Sequence, residues 1–427
     1  MTGFLVFLCV IGLVLLNVPI AVALGIAAVA AMITTQGLGI LPNIPLTMYQ
    51  GATSFPLIAI PLFILAGAIM NSSGITQKLM DFCGALVGWM KGALAQVNVI
   101  TSMFFAEISG SAVADIAATG PIIIPAMKKA GYPGPFTAAV TSSTASLAII
   151  IPPSIPMILY AVMAGASVVQ MFVAGVVPGV LAGFTMMGLC HYYAVKFNWP
   201  VEQMFQWGRL WRAFKDAFWA LTLPIIILGG IFGGIVTATE GAALAVVAAT
   251  FVGGVIYRDL SWSRLRQAII EGTVQTGSVM LLVASSALLG LYLTEAQLPQ
   301  NIAKAMMSVT SEKWAVLAIL NVFFLIIGMF LHSAAAIILV VPIVMPVVTA
   351  VGIDPVHFGV IVTLNLAIGQ QTPPVASVLM LTCSIAKESV WDVTRANIPF
   401  IGVLLATLLL VTYVPVVTLG LVNIFYR

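Results

Sequence analysis

Eleven apolar segments, with no polar stretch between them long enough to fold as a separate domain, constrain this chain more than any other feature. They run approximately over residues 4–33, 55–70, 93–127, 135–164, 170–194, 219–236, 241–257, 273–293, 314–350, 355–386 and 398–426. A helix needs roughly 20 apolar residues to cross a bilayer. The alternation of barrel strands is absent, and helices satisfy their own backbone groups in lipid. Only 7% of residues are charged, against about 25% in soluble domains, so water could not wet such a surface. The expected class is an all-α polytopic membrane protein with the lipid bilayer as its solvent.

The net charge of +3 comes from short basic loops and offers no nucleic-acid face. Cys9, Cys83, Cys190 and Cys383 are scattered in or beside apolar segments, without zinc spacing or a disulfide framework, and read as packing residues. No basic stretch precedes the first apolar run, which therefore reads as a first transmembrane helix and not a cleaved signal.

Segments 93–127 and 314–350 are too long for one span. Small or polar residues interrupt each near its middle: Ser109-Gly110-Ser111 in one, His332-Ser333 in the other. The second halves carry Pro121 and Pro125, or Pro342 and Pro346. Both segments read as re-entrant helical hairpins; two short ordinary spans joined by a tight turn are the alternative. Lys and Arg mark cytoplasmic loops. Lys91 precedes the first long segment and Lys128 and Lys129 follow it, which places both its ends inside. The same rule puts Lys196, Arg209, Arg212, Lys215, Arg258, Arg264, Arg266, Lys387 and Arg395 inside, and Lys313 and Asp354 outside. The consistent scheme has nine full spans and two opposed hairpins, with the N-terminus in and the C-terminus out. Ordinary spans in place of either hairpin keep the same parity.

A repeat runs through the chain at a constant offset of 221: Gly51 and Gly272, Pro121 and Pro342, Pro125 and Pro346, Gly131 and Gly352, Pro152-Pro153 and Pro373-Pro374. The charge-based topology sets the two copies in opposite orientation. Inverted repeats with broken helices and a midplane site mark secondary transporters; a duplicated channel or a structural scaffold is the plainer reading. Proline frees the carbonyl four residues earlier. Pro152 and Pro153 thus free Ala148 and Ile149, and Pro373 and Pro374 free Gly369 and Gln370. Orphan carbonyls at membrane depth need a polar partner. A cation is one such partner, and it wants oxygen ligands, which the hydroxyls of Ser109, Ser111, Ser154 and Thr372 can supplement. Kinks healed by those hydroxyls are the competing account. At a hairpin tip the carbonyl end of a helix suits a cation and the N–H end an anion.

Intramembrane ionisable residues are functional candidates. Glu107 and Asp115 fit either proton carriers or groups that cap helices and line a wet vestibule. His332, at the second tip, fits either a donor to an anionic substrate or a backbone-bonded histidine. Glu240 lies between two spans, and His191 and His357 read as interfacial. Residues 195–217, with Trp199, Trp207, Trp211, Arg209, Arg212 and Lys215, read as an amphipathic surface helix. Residues 75–90 and 297–308 read as related arms along the two membrane faces. No phosphate-binding loop, His-Glu-x-x-His pattern or nucleophile elbow points to an enzyme.

Ser109-Gly110-Ser111-Ala112-Val113-Ala114-Asp115, the Pro152-Pro153-Ser154 break, Thr237-Ala238-Thr239-Glu240-Gly241 and Gly369-Gln370-Gln371-Thr372-Pro373-Pro374 together resemble the large membrane subunit of tripartite ATP-independent periplasmic (TRAP) transporters. The resemblance covers essentially the whole chain. It implies an elevator-type protein. Residues 1–92, 166–313 and 387–427 would form the scaffold, and residues 93–165 and 314–386, each a hairpin plus a broken helix, the transport domain. It implies one sodium ion among Ser109, Ser111, Ala148, Ile151 and Pro153, a second among Gly328, Gly369, Thr372 and Val375, and a substrate facing Ser111, Ser154 and His332. No organic cofactor is implied.

The partners it implies are a small four-helix membrane subunit, not fused to this chain, and a periplasmic substrate-binding protein. Many relatives carry aspartate near that tip, where this chain has His332, which makes a sialic acid carrier less expected and favours a small carboxylate or sulfonate. The expected function is sodium-coupled import of a small organic anion across the bacterial inner membrane. A proton-coupled carrier using Glu107 or Asp115, and a permease subunit driven by a separate ATPase, are the alternatives.

Overall fold

A computed structural model describes the chain except for Met1, Asn17, Pro200, Glu202, Gln203 and Arg427, and except for the side chains of Thr2, Phe4, Phe7, Ile11, Leu15, Ile108 and Ser109. Among the described residues it contains α-helices and short 3₁₀ and π turns. The first copy of the repeat holds α1 (Thr2–Leu15), α2 (Ile20–Gln36), α3 (Asn43–Ala52), α4 (Ala59–Ser72), α5 (Ile75–Val87), α6 (Ala93–Ser109), α7 (Ala112–Lys129), α8 (Gly134–Ala145), α9 (Ile155–Ala164) and α10 (Val168–Lys196). The second copy opens with α11 (Trp207–Phe232) and α12 (Ala238–Phe251), which at the offset of 221 fall on α1 and α2, and continues with α13 (Trp262–Glu295), α14 (Leu298–Val309), α15 (Lys313–Phe330), α16 (Ser333–Ala350), α17 (Pro355–Gly369), α18 (Ser377–Ala386) and α19 (Val390–Tyr413); α20 (Val416–Tyr426) follows it. Among the described residues, eight helical stretches are long and apolar enough to cross a membrane, and the chain is a multi-pass membrane protein.

The offset read from the sequence reappears in the helices. Both ends of α7 shift by 221 onto the ends of α16 (333 − 112 and 350 − 129). Each long segment turns at its polar interruption: α6 passes through Gly110 and Ser111 into α7, and α15 through Leu331 and His332 into α16. Ser111 and His332 are the N-cap residues of α7 and α16, both with extended backbone. The helix before each proline pair also ends as expected. α8 runs through a 3₁₀ turn (Ser146–Ile149) before Pro152-Pro153, and α17 ends at Gly369 before Pro373-Pro374.

Three expectations change. Segment 4–33 is not one span: α2 begins at Ile20, directly after Pro19, whose missing N–H suits a helix start better than an interior. Segment 398–426 is likewise divided between α19 and α20, with Pro415 between them. The surface helix expected over 195–217 is no separate element. Its Trp207-to-Ala217 part is the first stretch of α11, because neither glycine nor proline stands between Leu210 and Leu223 to stop the helix.

The two copies interlock. α9 packs on α16, and α18 packs on α7 and α8, while α8 also lies against α19. Tyr160 of α9 shows how tightly. Its side chain is fully buried, its ring lies 6.4 Å from that of Phe358, and its hydroxyl donates to the Pro355 carbonyl at 2.8 Å. Burial of such a ring contributes about 1.5–3 kcal/mol, and the hydroxyl needs the acceptor it finds. α13 packs against α2, α3 and α4 and also touches α16.

Candidate functional site

The two turns and the two breaks meet around one cavity of about 210 Å³. Gly110, Ser111 and Ala112 reach it from the first turn, and His332, Ser333 and Ala334 from the second. Ile149, Ile155 and Pro156 come from the first break and Gln370 from the second. The opposite wall is α13, through Gln275, Ser278, Val279 and Leu282. The first residues of three helices, α7, α9 and α16, therefore border a single space. A helix start carries about half a positive charge; at α9 the Ile155 and Met157 N–H groups are taken within the protein and Pro156 has none, so the starts of α7 and α16 are the ones that turn N–H dipoles on the cavity.

Each turn is tied to the break that follows it in its own repeat. The Ile155 N–H donates to the Gly110 carbonyl at 3.3 Å, and the Val375 N–H to the Met329 carbonyl at 3.2 Å. Gly110 adopts φ +57°, and a Cβ placed there would lie 2.8 Å from the Pro153 carbonyl oxygen. Only glycine permits both the dihedral and the approach. In the second copy the backbones of Gly328 and Gly369 touch: a Cβ on Gly369 would lie 2.5 Å from the Gly328 Cα. Ser111 thus stands in the turn whose Gly110 meets the break of Ala148, Ile151 and Pro153, and Gly328 stands beside Gly369 in the second break. Ser109 ends α6; its side chain lies outside the described residues.

The hydroxyls and carbonyls of the breaks are partly engaged within the protein. Ser154, expected to face substrate, does not line the cavity. It is fully buried, donates to the Ile149 carbonyl at 2.7 Å and accepts from the Met157 N–H at 3.4 Å as the N-cap of α9. The carbonyl of Ile149, freed by Pro153, is therefore taken by a neighbouring hydroxyl. Those of Gly369 and Gln370 accept from the N–H groups of Thr372 at 2.9 Å and Val378 at 3.2 Å. The Thr372 hydroxyl donates to the Ile368 carbonyl at 3.0 Å. Each such carbonyl keeps a second lone pair.

Other singled-out residues find plain structural settings. Thr237 and Glu240 form a reciprocal capping box at the start of α12, with the Thr237 N–H 2.8 Å from Glu240 Oε2. His357 is buried rather than interfacial, 2.7 Å from the Thr418 hydroxyl. Asp115 is fully buried in the first turn of α7, beside Ser102, and Glu107 is half-buried near the end of α6. Gln275 and Ser278 are the site residues missed from sequence. Their signal is two polar residues three apart, hence on one helix face, in a span whose other polar residues are small hydroxyls such as Thr276 and Ser285.

The sequence model of the DctM component of tripartite ATP-independent periplasmic transporters matches residues 7–417. The isethionate TRAP transporter permease protein DctMQ of Oleidesulfovibrio alaskensis is 38% identical over 94% of this chain; the chain spans 63% of that relative's length. The C4-dicarboxylate TRAP transporter large permease protein DctM of Vibrio cholerae is 36% identical, over 96% of this chain and 95% of its own. The sialic acid TRAP transporter large permease protein SiaM of the same species is 34% identical over 97% of each chain. The crystal structure of the Alcanivorax borkumensis YdaH transporter matches with a TM-score of 0.65 at 16% identity, covering 96% of this chain and 97% of that one, a likeness of fold alone.

Proposed function

Because the chain belongs to the DctM-component family of TRAP transporters, we propose that this permease, which is not an enzyme, imports a small organic anion by sodium-coupled secondary transport. The observation that carries the reading is the meeting of two helix N-termini, those of α7 and α16, on one cavity between the two turns and the two breaks. Fixed N–H dipoles at the starts of α7 and α16 favour a carboxylate or sulfonate there. The named cargoes of the relatives, isethionate, C4-dicarboxylate and sialic acid, are all organic anions.

Sodium is the second cargo. One ion sits among Ser109, Ser111, Ala148, Ile151 and Pro153, the other among Gly328, Gly369, Thr372 and Val375. The close backbone approaches at Gly110 and Gly369 support this, since they bring turn and break within reach of one ion. Occupied sites hold the turns against the breaks and so fix the helix starts that face the anion. A ligand drives a conformational change only through differential affinity for the two states, and sodium supplies that difference by ordering the tips.

Residues 93–165 and 314–386 move as re-entrant hairpins with broken helices. Residues 1–92, 166–313 and 387–427 stay as scaffold in the bacterial inner membrane, beside a small membrane subunit. A periplasmic binding protein delivers the anion.

The test is uptake into liposomes holding the permease and its small membrane subunit, with loaded binding protein outside and no ATP. An inward sodium gradient should drive accumulation, and a sodium ionophore should abolish it. Accumulation driven equally well by a proton gradient without sodium, or only by ATP, would refute the reading.

A further inference from the structure

One buried amide joins the two breaks. Gln371 stands between Gln370, which borders the cavity, and Thr372. Its Nε2 donates to Ser146 Oγ at 2.6 Å and to the Ala367 carbonyl at 3.2 Å. Its Oε1 accepts from Asn397 Nδ2 at 3.2 Å and lies 2.7 Å from Ser143 Oγ. Ser143 Oγ also lies 2.6 Å from Asn397 Oδ1. Both donors of the amide and at least one of its lone pairs are thus used, the single Ser143 proton serving one of the two amide oxygens it faces. Gln371, Ser143, Ser146 and Asn397 have no exposed surface.

Ser146 begins the 3₁₀ turn that leads to Ala148 in the first break; Gln371 lies within the second. The link is not part of the duplication. At the offset of 221 the positions matching Gln371, Asn397, Ser143 and Ser146 hold Ile150, Val176, Leu364 and Ala367. Repeat symmetry therefore does not account for it, and a buried apolar contact of similar shape would serve packing alone at no loss. What the amide adds is direction: it fixes the position of one break relative to the other.

We infer that Gln371 is a positioning residue that couples the two cation sites, so that filling one break aligns the other through the Gln371–Ser146 bond. The inference rests on the sodium reading above. Sodium-driven uptake should be cooperative, with a Hill coefficient above about 1.5 for two coupled sites. Gln371→Met keeps the side-chain volume and removes the bonds to Ser146, Ala367 and Asn397. It should lower the Hill coefficient toward about 1 and raise the half-maximal sodium concentration about fivefold or more. Ser146→Ala breaks the same link from the other repeat and should act in the same direction. The double variant should be little worse than Gln371→Met, since partners in one link are not additive. Asn321→Leu is the control. It removes buried bonds to Asn365 and Thr412 within the second repeat, and should lower thermal stability without changing the Hill coefficient.

Uptake against sodium concentration, on variants shown to be monodisperse in detergent, decides the matter; Ser146→Ala carries the test if Gln371→Met fails to assemble. Wild-type cooperativity in both variants, or equal loss in Asn321→Leu, would overturn the coupling while leaving the sodium reading intact. Wild-type uptake with no sodium dependence would overturn both.

Discussion

Gly110→Ala should be markedly more damaging than Gly131→Ala, although both replace a glycine with positive φ in the same hairpin region. The difference can be worked from the structure. At Gly110, φ is +57°, and a non-glycine residue in the left-handed region costs about 1–2 kcal/mol. The new methyl would also lie 2.8 Å from the Pro153 carbonyl oxygen and 3.2 Å from the Ile155 nitrogen. Both obstacles are backbone, so neither can swing aside. Forcing an extra carbon into a packed site costs about 1–3 kcal/mol. At Gly131, φ is +88° and nothing lies within 4 Å of the added methyl, so only the backbone cost applies. Subtraction leaves about 1–3 kcal/mol for the contact alone, roughly a five- to 150-fold change in an equilibrium constant at 1.4 kcal/mol per decade.

Unfolding in mixed micelles, followed by helical circular dichroism, measures the difference. Transport separates the variants further. Relief of the clash moves the turn away from the break, so Gly110→Ala should need more sodium for half-maximal uptake, whereas Gly131→Ala should keep the wild-type curve. Equal destabilisation of the two variants, with unchanged sodium dependence in both, would refute the claim that the first turn is held against Pro153.

Two further substitutions address the cavity and its walls. His332→Asp places a fixed negative charge at the N-cap of α16, where it suits the helix but competes with the cargo. The KM for anion uptake should rise about ten- to a hundredfold, the repulsion of like charges some 5 Å apart in a partly wet site, with thermal stability maintained; an unchanged KM would remove His332 from the anion's surroundings. Ser154→Ala should behave in the opposite way. Loss of a cap and of the donor to Ile149 should cost about 1–3 kcal/mol of stability, while the KM of the surviving protein stays within about twofold, because Ser154 does not line the cavity. A large rise in KM without destabilisation would reverse that assignment.

The pattern of success and failure in reading the sequence follows from how far each residue's effect reaches. Pro121, Pro125, Pro152 and Pro153 act on the backbone within four residues of themselves, so their recurrence at 342, 346, 373 and 374 located the duplicated helices. Pro19 and Pro415 carry the same local signal inside long apolar runs. Hydropathy over a long apolar run outweighs a single breaker within it, so each of these helix pairs looks like one span in sequence. Freed carbonyls were legible for the same local reason, but their fate was not. Ile149 is satisfied by a hydroxyl five residues away and Gln370 by an N–H eight residues away, and that depends on how the chain returns after the break.

Side-chain amides are the other extreme. Gln371 in sequence is one polar residue beside a proline pair. Its partners Ser143 and Ser146 lie more than 220 residues earlier, and serines in an apolar helix look like ordinary helix residues bonding back to their own carbonyls. Gln275 and Ser278 were hidden in the same way, since a face of α13 becomes a cavity wall only when the two turns come to rest beside it. The local half of the candidate site, the starts of α7 and α16, is therefore set by residues at the turns themselves. The selective half depends on side chains whose meaning is set by the opposite repeat or by α13, so substitutions at Gln275 and Gln371 should alter selectivity or coupling in ways that changes in the turn motif do not.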